Sequence, residues 1–245
     1  MSQRSSRIGT YLLIIAITAL FTILIMMFGA RLDLWEPIVG FGYIRNYLDP
    51  IAYSVFSLGM AGYMHQKTTN NRKGTIKALI ATLIGLGLLS PMLFGKIQPA
   101  TPAPAIHDIT TDTDNPPVFL VLDETRAGAK NSLIYAGKKD ADIQKKSYPD
   151  IAPIHSDLAA PDAFNKALNI AKEKGWEIVA QDPKAFRFEA TARTLVFAFM
   201  DDVVVVVTPL DNTSRIDMRS VSRIGRSDKG VNAARISDFT RTFKQ

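Results

Sequence analysis

Residues 215–235 read RIDMRSVSRIGRSDKGVNAAR, and three local patterns follow one another within them. Ile216 and Met218 alternate with Asp217 and Arg219, the period of two that a strand with one buried face requires. Gly225 and Gly230 bracket a polar, turn-forming stretch. Beyond it, Ala233, Ile236, Phe239 and Phe243 recur at helical spacing, which predicts a helix over 229–243 with Asp228 as its cap. Strand, loop and helix in that order set the character of the C-terminal part.

Upstream, the five valines of 203–207 predict a central strand covered on both faces. Asp201 and Asp202 before them read either as gatekeepers against aggregation or as part of a site. In 186–193, Phe186, Phe188 and Ala190 point one way and Arg187, Glu189 and Thr191 the other, one face buried and one wet. Trp176, Ile178 and Ala180 alternate in 176–181, and Asp182–Pro183 marks a turn. Residues 195–200 read equally as strand or connecting turn. Phe164, Ala167, Leu168 and Ala171 form one apolar stripe, predicting a helix over 161–174 that Gly175 ends in a left-handed cap. Residues 118–123 (VFLVLD) read as a short strand and 126–150 as loop. The fold class expected is α+β, an antiparallel sheet of four or five strands covered on one face by two helices.

The first third is of another kind. Residues 11–30 carry no charge over twenty positions, enough to span a hydrocarbon core of about 30 Å. Residues 78–95 form a second long apolar run, and 51–64 a marginal one between them, with Asp49 and Pro50 placed to start it. The tail with Arg4 and Arg7, and the loop 65–73 (HQKTTNNRK), hold bases and no acid, so the positive-inside rule puts both in the cytoplasm. Three crossings then carry the C-terminal domain to the far side; the alternatives are a re-entrant or interfacial segment at 51–64, and two spans with the domain in the cytoplasm. The organisation expected is a transmembrane helical region over 1–95, a proline-rich linker over 96–117 and a soluble domain over 118–245.

Charge supports that division. Residues 1–95 hold eight Lys and Arg against three Asp and Glu, whereas the rest holds 21 against 20. The basic excess is therefore topological and argues against nucleic acid as a partner. With no cysteine, disulfides, thiolate metal sites and a cysteine nucleophile are excluded. His65, His107 and His155 are scattered without metal-ligand spacing, so no metal or cofactor is expected.

The strings GWEIVAQD, FEATARTLVFAFMDDVVVVV and SRIDMRSVSRIGRSDKGVNAARI, with IHDITTDTDNPPVF and YPDIAPI upstream, resemble the bacterial domain of unknown function 1499 family over roughly residues 105–243. The resemblance implies the fold of a membrane-anchored member and supplies no reaction.

Two constellations are candidates for a site. Asp202, Asp217, Arg219 and Arg223 would supply carboxylates for acid–base work and guanidinium groups for an anion, or else ion pairs that organise a sheet face. Ser220 and Ser222 lack a neighbouring histidine, which argues against a hydrolase triad. Arg223, Arg226, Ser227 and Gly230, at the start of the last helix, would hold an anion on free backbone N–H groups unless Asp228 takes those donors. The function expected is a non-enzymatic envelope protein of the bacterial inner membrane, multi-pass, with a periplasmic domain that binds an envelope protein or component. The alternatives are an enzyme acting on an anionic or lipid substrate at the membrane, and a lipid carrier or sensor.

Overall fold

The computed structural model describes residues 2–98 and 102–245, with side chains described from Arg7 onward. Arg4 of the basic tail therefore lies outside the described side chains. The chain divides into two compact units, an N-terminal helical bundle with which Leu195–Ala198 is grouped, and a C-terminal domain made of Pro102–Thr194 and Phe199–Gln245.

The bundle has three helices, α1 (Ser2–Phe28), α2 (Pro37–Thr68) and α3 (Arg72–Ile97). Glycines let them approach closely. A Cβ on Gly9 would come within 2.8 Å of the Gly74 carbonyl, and Lys77 Nζ donates to Thr10 Oγ1 at 2.8 Å. The starts of α1 and α3 are thus side by side, and the two helices run in the same sense. Along α2 the contacts run backwards: Gly62 meets Ala78, Gly59 meets Thr82, Phe56 meets Gly85, and Tyr53 donates to Met92 Sδ at 3.1 Å. Helix α2 therefore returns antiparallel to both neighbours.

Two segments, Arg7–Leu32 and Arg72–Ile97, are long and apolar enough to cross a membrane. Their large residues face outward, with Phe21 60% and Leu83 55% exposed, the reverse of a soluble bundle. The expectation of three such helices is met by two. Helix α2, with 32 residues, has the length, but Arg45, Asp49 and its tyrosines and glycines dilute its apolarity. It also starts fourteen residues before the run at 51–64. Pro37 suits a first turn, and packing against α1 and α3 carries the helix through Pro50 despite a backbone cost of about 3 kcal/mol.

The domain is α+β. Its elements are β1 (Asp108–Thr110), α4 (Lys138–Ser147), β2 (Ile154–Ser156), α5 (Ala160–Glu173), β3 (Glu177–Asp182), β4 (Arg187–Arg193), β5 (Met200–Leu210), β6 (Thr213–Ser222) and α6 (Val231–Phe243). The sheet is antiparallel, in the order β1-β6-β5-β4-β3, with β2 also on β6. Six strands replace the four or five expected because two three-residue strands share the outer edge of β6. They were invisible to periodicity: β1 lies within the proline-rich stretch 96–117, and β2 just after a polar loop. Ile106 and Ile109, also in the stretch read as an exposed linker, are fully buried in the domain core. Residues 99–101 of that stretch lie outside the described residues. The helix α4 replaces part of the expected loop 126–150, and 118–123 forms no strand.

Helices α5 and α6 cover one sheet face. Phe164, Ala167, Leu168 and Ala171 of α5, and Ala233, Ile236, Phe239 and Phe243 of α6, pack on Phe188, Val203, Val205, Ile216 and Met218. Each large side chain so buried contributes about 1.5–3 kcal/mol. Trp176 stacks on Phe239 with ring centroids 5.8 Å apart. The other face, expected to be wet along β4, is also covered: Phe119, Leu122 and Leu133 of the irregular segment after β1 pack on Val204, Val206 and Val221.

Candidate functional site

The alternation of β6 decides where the candidate residues point. Ile216, Met218 and Ser220 turn to the helices, so Asp217, Arg219, Val221 and Arg223 turn to the opposite face. On β5, Asp202 and Val204 share that face, and on β4 Glu189 and Thr191 do. The sheet therefore gathers Asp202, Asp217, Arg219 and Arg223 on one surface, beneath residues 111–135.

They do not form a single cluster there. Asp202, with no exposed surface, accepts from Arg126 Nε at 2.6 Å and from Arg223 NH2 at 2.7 Å. Thr191 Oγ1 donates to the same carboxylate at 3.2 Å. Arg126 also donates to the Asp123 and Asn131 carbonyls, and Arg223 to that of Ala127. One buried carboxylate thus holds two guanidinium groups, which in turn hold the loop 123–131.

Arg219 makes a separate unit. Its Nε and NH2 donate to the two oxygens of Asp108 at 2.9 and 2.7 Å, a bidentate pair. Its remaining donors reach the Pro117 and Leu133 carbonyls. Its guanidinium carbon lies 5.5 Å from the centre of the Phe119 ring and 5.4 Å from that of Tyr135. Burial pushes the Asp108 carboxyl above its usual range even with Arg219 beside it, and raises the Tyr135 phenol to about 12. Asp217 belongs to a third unit, accepting from Thr111 Oγ1 at 3.0 Å. Arg215 Nε lies 2.8 Å from its other oxygen, an ion-pair contact poorly aligned for a hydrogen bond. Arg215 NH2 reaches Asp112 at 2.5 Å.

The second constellation is taken up as well. The helix begins at Val231 with Gly230, and not Asp228, at its N-cap position. Asp228, two residues earlier, still accepts from Gly230 N at 3.0 Å and Asn232 N at 2.6 Å with its carboxylate and from Val231 N at 3.2 Å with its carbonyl, so donors an anion would use at this helix start are already taken. Ser227 Oγ donates to the Pro104 carbonyl at 2.7 Å. Gly230, at φ 84°, supplies the left-handed turn into the helix. Arg223 faces Asp202, and Arg226 alone of the four stands in solvent.

Several residues missed by the sequence reading complete these units. Glu189 accepts the backbone N–H groups of Leu120, Val121 and Leu122 at 2.6, 3.1 and 2.7 Å, with Arg187 NH2 at 3.1 Å. Asp108 stood in the supposed linker, and Arg126 in a stretch read as loop. On the helix face, Arg235 pairs with Asp201 at 2.5 Å, and Asn232 links Ser220, Ser222 and the His107 carbonyl. Burial raises the Asp201 carboxyl above its usual range, against the pull of Arg235. Both aspartates before the valine run are therefore internal partners, and neither is a surface gatekeeper. The signal that could have revealed Glu189 is a charge in the middle of a strand whose other face, Phe188, Ala190 and Ala192, is wholly apolar.

Chemically, these are closed contacts. General acid–base work needs a group within reach of a substrate proton, and each candidate carboxylate is buried and spends its lone pairs on protein donors. Among the described residues no group of three or more His, Asp or Glu is arranged to hold a metal. A cleft of about 380 Å³ lies beside Asp112, Asp114, Lys145, Tyr148 and Arg215, where Asp114 and Lys145 pair across 3.1 Å.

No curated protein matches the chain. The family profile described as "Protein of unknown function (DUF1499)" matches residues 108–243. The match opens on Asp108, the partner of Arg219, and closes on Phe243 at the end of α6, taking in every ion pair described above. With more than half of its length inside that match, the chain belongs to the DUF1499 family.

Proposed function

We propose that this is a membrane-anchored envelope protein whose three N-terminal helices all cross the bacterial inner membrane. Its C-terminal domain then stands in the periplasm as a non-catalytic module that binds or assembles an envelope component. The observation that carries the reading is the return of α2. Helices α1 and α3 start side by side, as the Gly9–Gly74 approach requires. If both cross the bilayer in the same sense, α2 has to bring the chain back through it, apolar or not. Packing against two apolar neighbours makes its polar residues tolerable. Arg7, Lys67, Arg72 and Lys73 gather at the end where α1 and α3 start, and Trp35, Tyr43 and Tyr47 lie towards the other. The positive-inside rule makes the basic end cytoplasmic and the domain periplasmic.

Binding is preferred to catalysis because the candidate acids and arginines are committed to one another and to backbone carbonyls. The cleft carries Asp112, Asp114, Lys145 and Arg215 in its lining, charges that an entering acyl chain would have to desolvate, which argues against an acyl-chain carrier. Reporter fusions test the topology. Alkaline phosphatase fused after Gln245 should be active and a fluorescent protein there dark, with the reverse for fusions at Asn70. A fluorescent, phosphatase-negative C-terminus would overturn the periplasmic reading. The rival enzyme reading predicts that Asp217→Asn abolishes function in a domain that still unfolds cooperatively.

A further inference from the structure

We propose that the cleft at the outer edge of β6, where β1 and β2 part, is a binding site for a neutral saccharide; this names a ligand class for the binding role proposed above and rests on that role. The topology makes the cleft. Strand β1 pairs with 219–221 of β6 and β2 with 214–216, so Asp217 and Met218 lie opposite no strand residue on that edge. Thr111 bridges the gap. Its hydroxyl accepts from Met218 N at 2.9 Å and donates to Asp217 Oδ1 at 3.0 Å, and its own N–H donates to the Met218 carbonyl at 2.8 Å. The chain leaving β1 at 111–114, the C-terminal turn of α4 and the approach to β2 at 149–153 then wall the cleft of about 380 Å³. That volume lies within the range of about 300–1,000 Å³ usual for small-ligand pockets.

Polar groups in the cleft are held in place and only partly spent. Arg215, with a side chain 32% exposed, is fixed from two sides: NH2 reaches Asp112 and Asp217, and Nε lies against Asp217. Its NH1 group, with two further N–H donors, meets no acceptor among the described residues. Asp112 is fixed in turn, its Oδ1 accepting from Asp114 N at 2.9 Å and Asn115 N at 2.8 Å. Asp114 gives one oxygen to Lys145 and keeps the other for a ligand. The Thr113 hydroxyl makes no hydrogen bond among the described residues. Pro149, Ile151 and Pro153 supply an apolar wall.

Donors and acceptors standing side by side above an apolar wall suit a sugar ring, which carries hydroxyls around its rim and C–H groups on its face. Charge favours a neutral ligand. In the lining, Asp112 and Asp114 balance Arg215 and Lys145; Asp217 lies behind Arg215, and Lys146 and Asp150 adjoin with opposite signs. A phosphate placed here would meet carboxylates, and an ammonium would meet a guanidinium, each repelled at close range. A hydroxyl both donates and accepts, so it satisfies either kind of group. Because Arg215 and Asp112 are already locked by their neighbours, little side-chain freedom is lost when a ligand enters.

The test uses the full chain in a detergent without a sugar headgroup. Maltose, cellobiose and N,N′-diacetylchitobiose are the probes, read by saturation-transfer NMR. At least one should show saturable transfer. Its affinity should fall several-fold in Arg215→Gln, and likewise in Asp114→Ala and Lys145→Ala, whose largely exposed pair leaves the unfolding temperature nearly unchanged. Those two variants keep the test decisive if Arg215→Gln does not fold. Saturable transfer from none of the three sugars overturns the site and leaves the binding role itself standing. Transfer equally strong in Asp114→Ala and Lys145→Ala puts the sugar elsewhere and overturns the site as well. Displacement of the sugar by inorganic phosphate or by tetramethylammonium, at matched ionic strength, overturns the neutral-ligand assignment. A cytoplasmic C-terminus in the reporter fusions removes the envelope role without changing any of these readouts.

Discussion

Asp202→Asn isolates the largest electrostatic commitment in the domain. The side chain is fully buried between Arg126, with a side chain 3% exposed, and Arg223, 9% exposed. Asparagine keeps the shape and a partner for Thr191 but removes the carboxylate shared by both guanidinium groups, leaving Arg126 the largely exposed Glu124 at 3.6 Å. Deleting one member of a buried ion pair costs about 3–5 kcal/mol, because the remaining charge is left desolvated. Both arginines also hold carbonyls of 123–131, so that loop should loosen as well. In a domain of this size the loss corresponds to a fall in Tm of roughly 10–20 °C. The assay is thermal unfolding of the full chain in detergent, followed by Trp176 fluorescence in a Trp35→Phe background. Replacing Arg126 and Arg223 by Met in the same variant should recover part of the loss, since a trio of one asparagine and two methionines carries no unpaired charge. Asp114→Asn, whose pair with Lys145 is largely exposed, should change little. A loss below about 1 kcal/mol for Asp202→Asn would show that the buried network is not what holds this face, and would reopen the acid–base reading.

Three further outcomes are expected. Gly85→Val should disrupt the bundle, because even a Cβ there comes within 2.4 Å of the Phe56 backbone nitrogen, whereas Gly87→Val, with open space around it, should be tolerated; membrane-inserted yield and disulfide trapping between introduced cysteines on α2 and α3 would compare them. Glu189→Gln should free the segment 118–122 at a cost of about 1.5–3 kcal/mol, read as faster hydrogen exchange at Leu120 and Leu122, and unchanged exchange would refute the anchoring role. The Lys174 ammonium, and then Arg241, hold the Asp238 carboxyl below its usual range, so its contribution is present above the ordinary carboxylate pKa and lost as pH falls through the depressed one; Asp238→Asn should therefore cost at most about 1 kcal/mol at pH 7 and nothing in strong acid, and a loss independent of pH would refute the pairing.

Local pattern alone determined much of this protein. The stripe of α5, the valine run of β5, the alternation of β6 and the stripe of α6 are each set by residues within a few positions of one another. Helix and strand periodicity act at that range. The apolar runs of α1 and α3 were legible for the same reason, since a stretch long and apolar enough to cross a bilayer is a property of consecutive residues. The tertiary structure decided the rest. Strands β1 and β2 are three residues long and exist only because β6 offers an edge. Helix α2 runs through Pro50 because two neighbours support it. The wet face of β4 became a buried one because residues 111–135 fold over it, which turned Glu189, Asp202, Arg219 and Arg223 from apparent surface chemistry into internal partners. Asp108 and Arg219 stand 111 positions apart. A pairing at that separation is chosen by which surfaces meet, and local sequence carries no energy term for it.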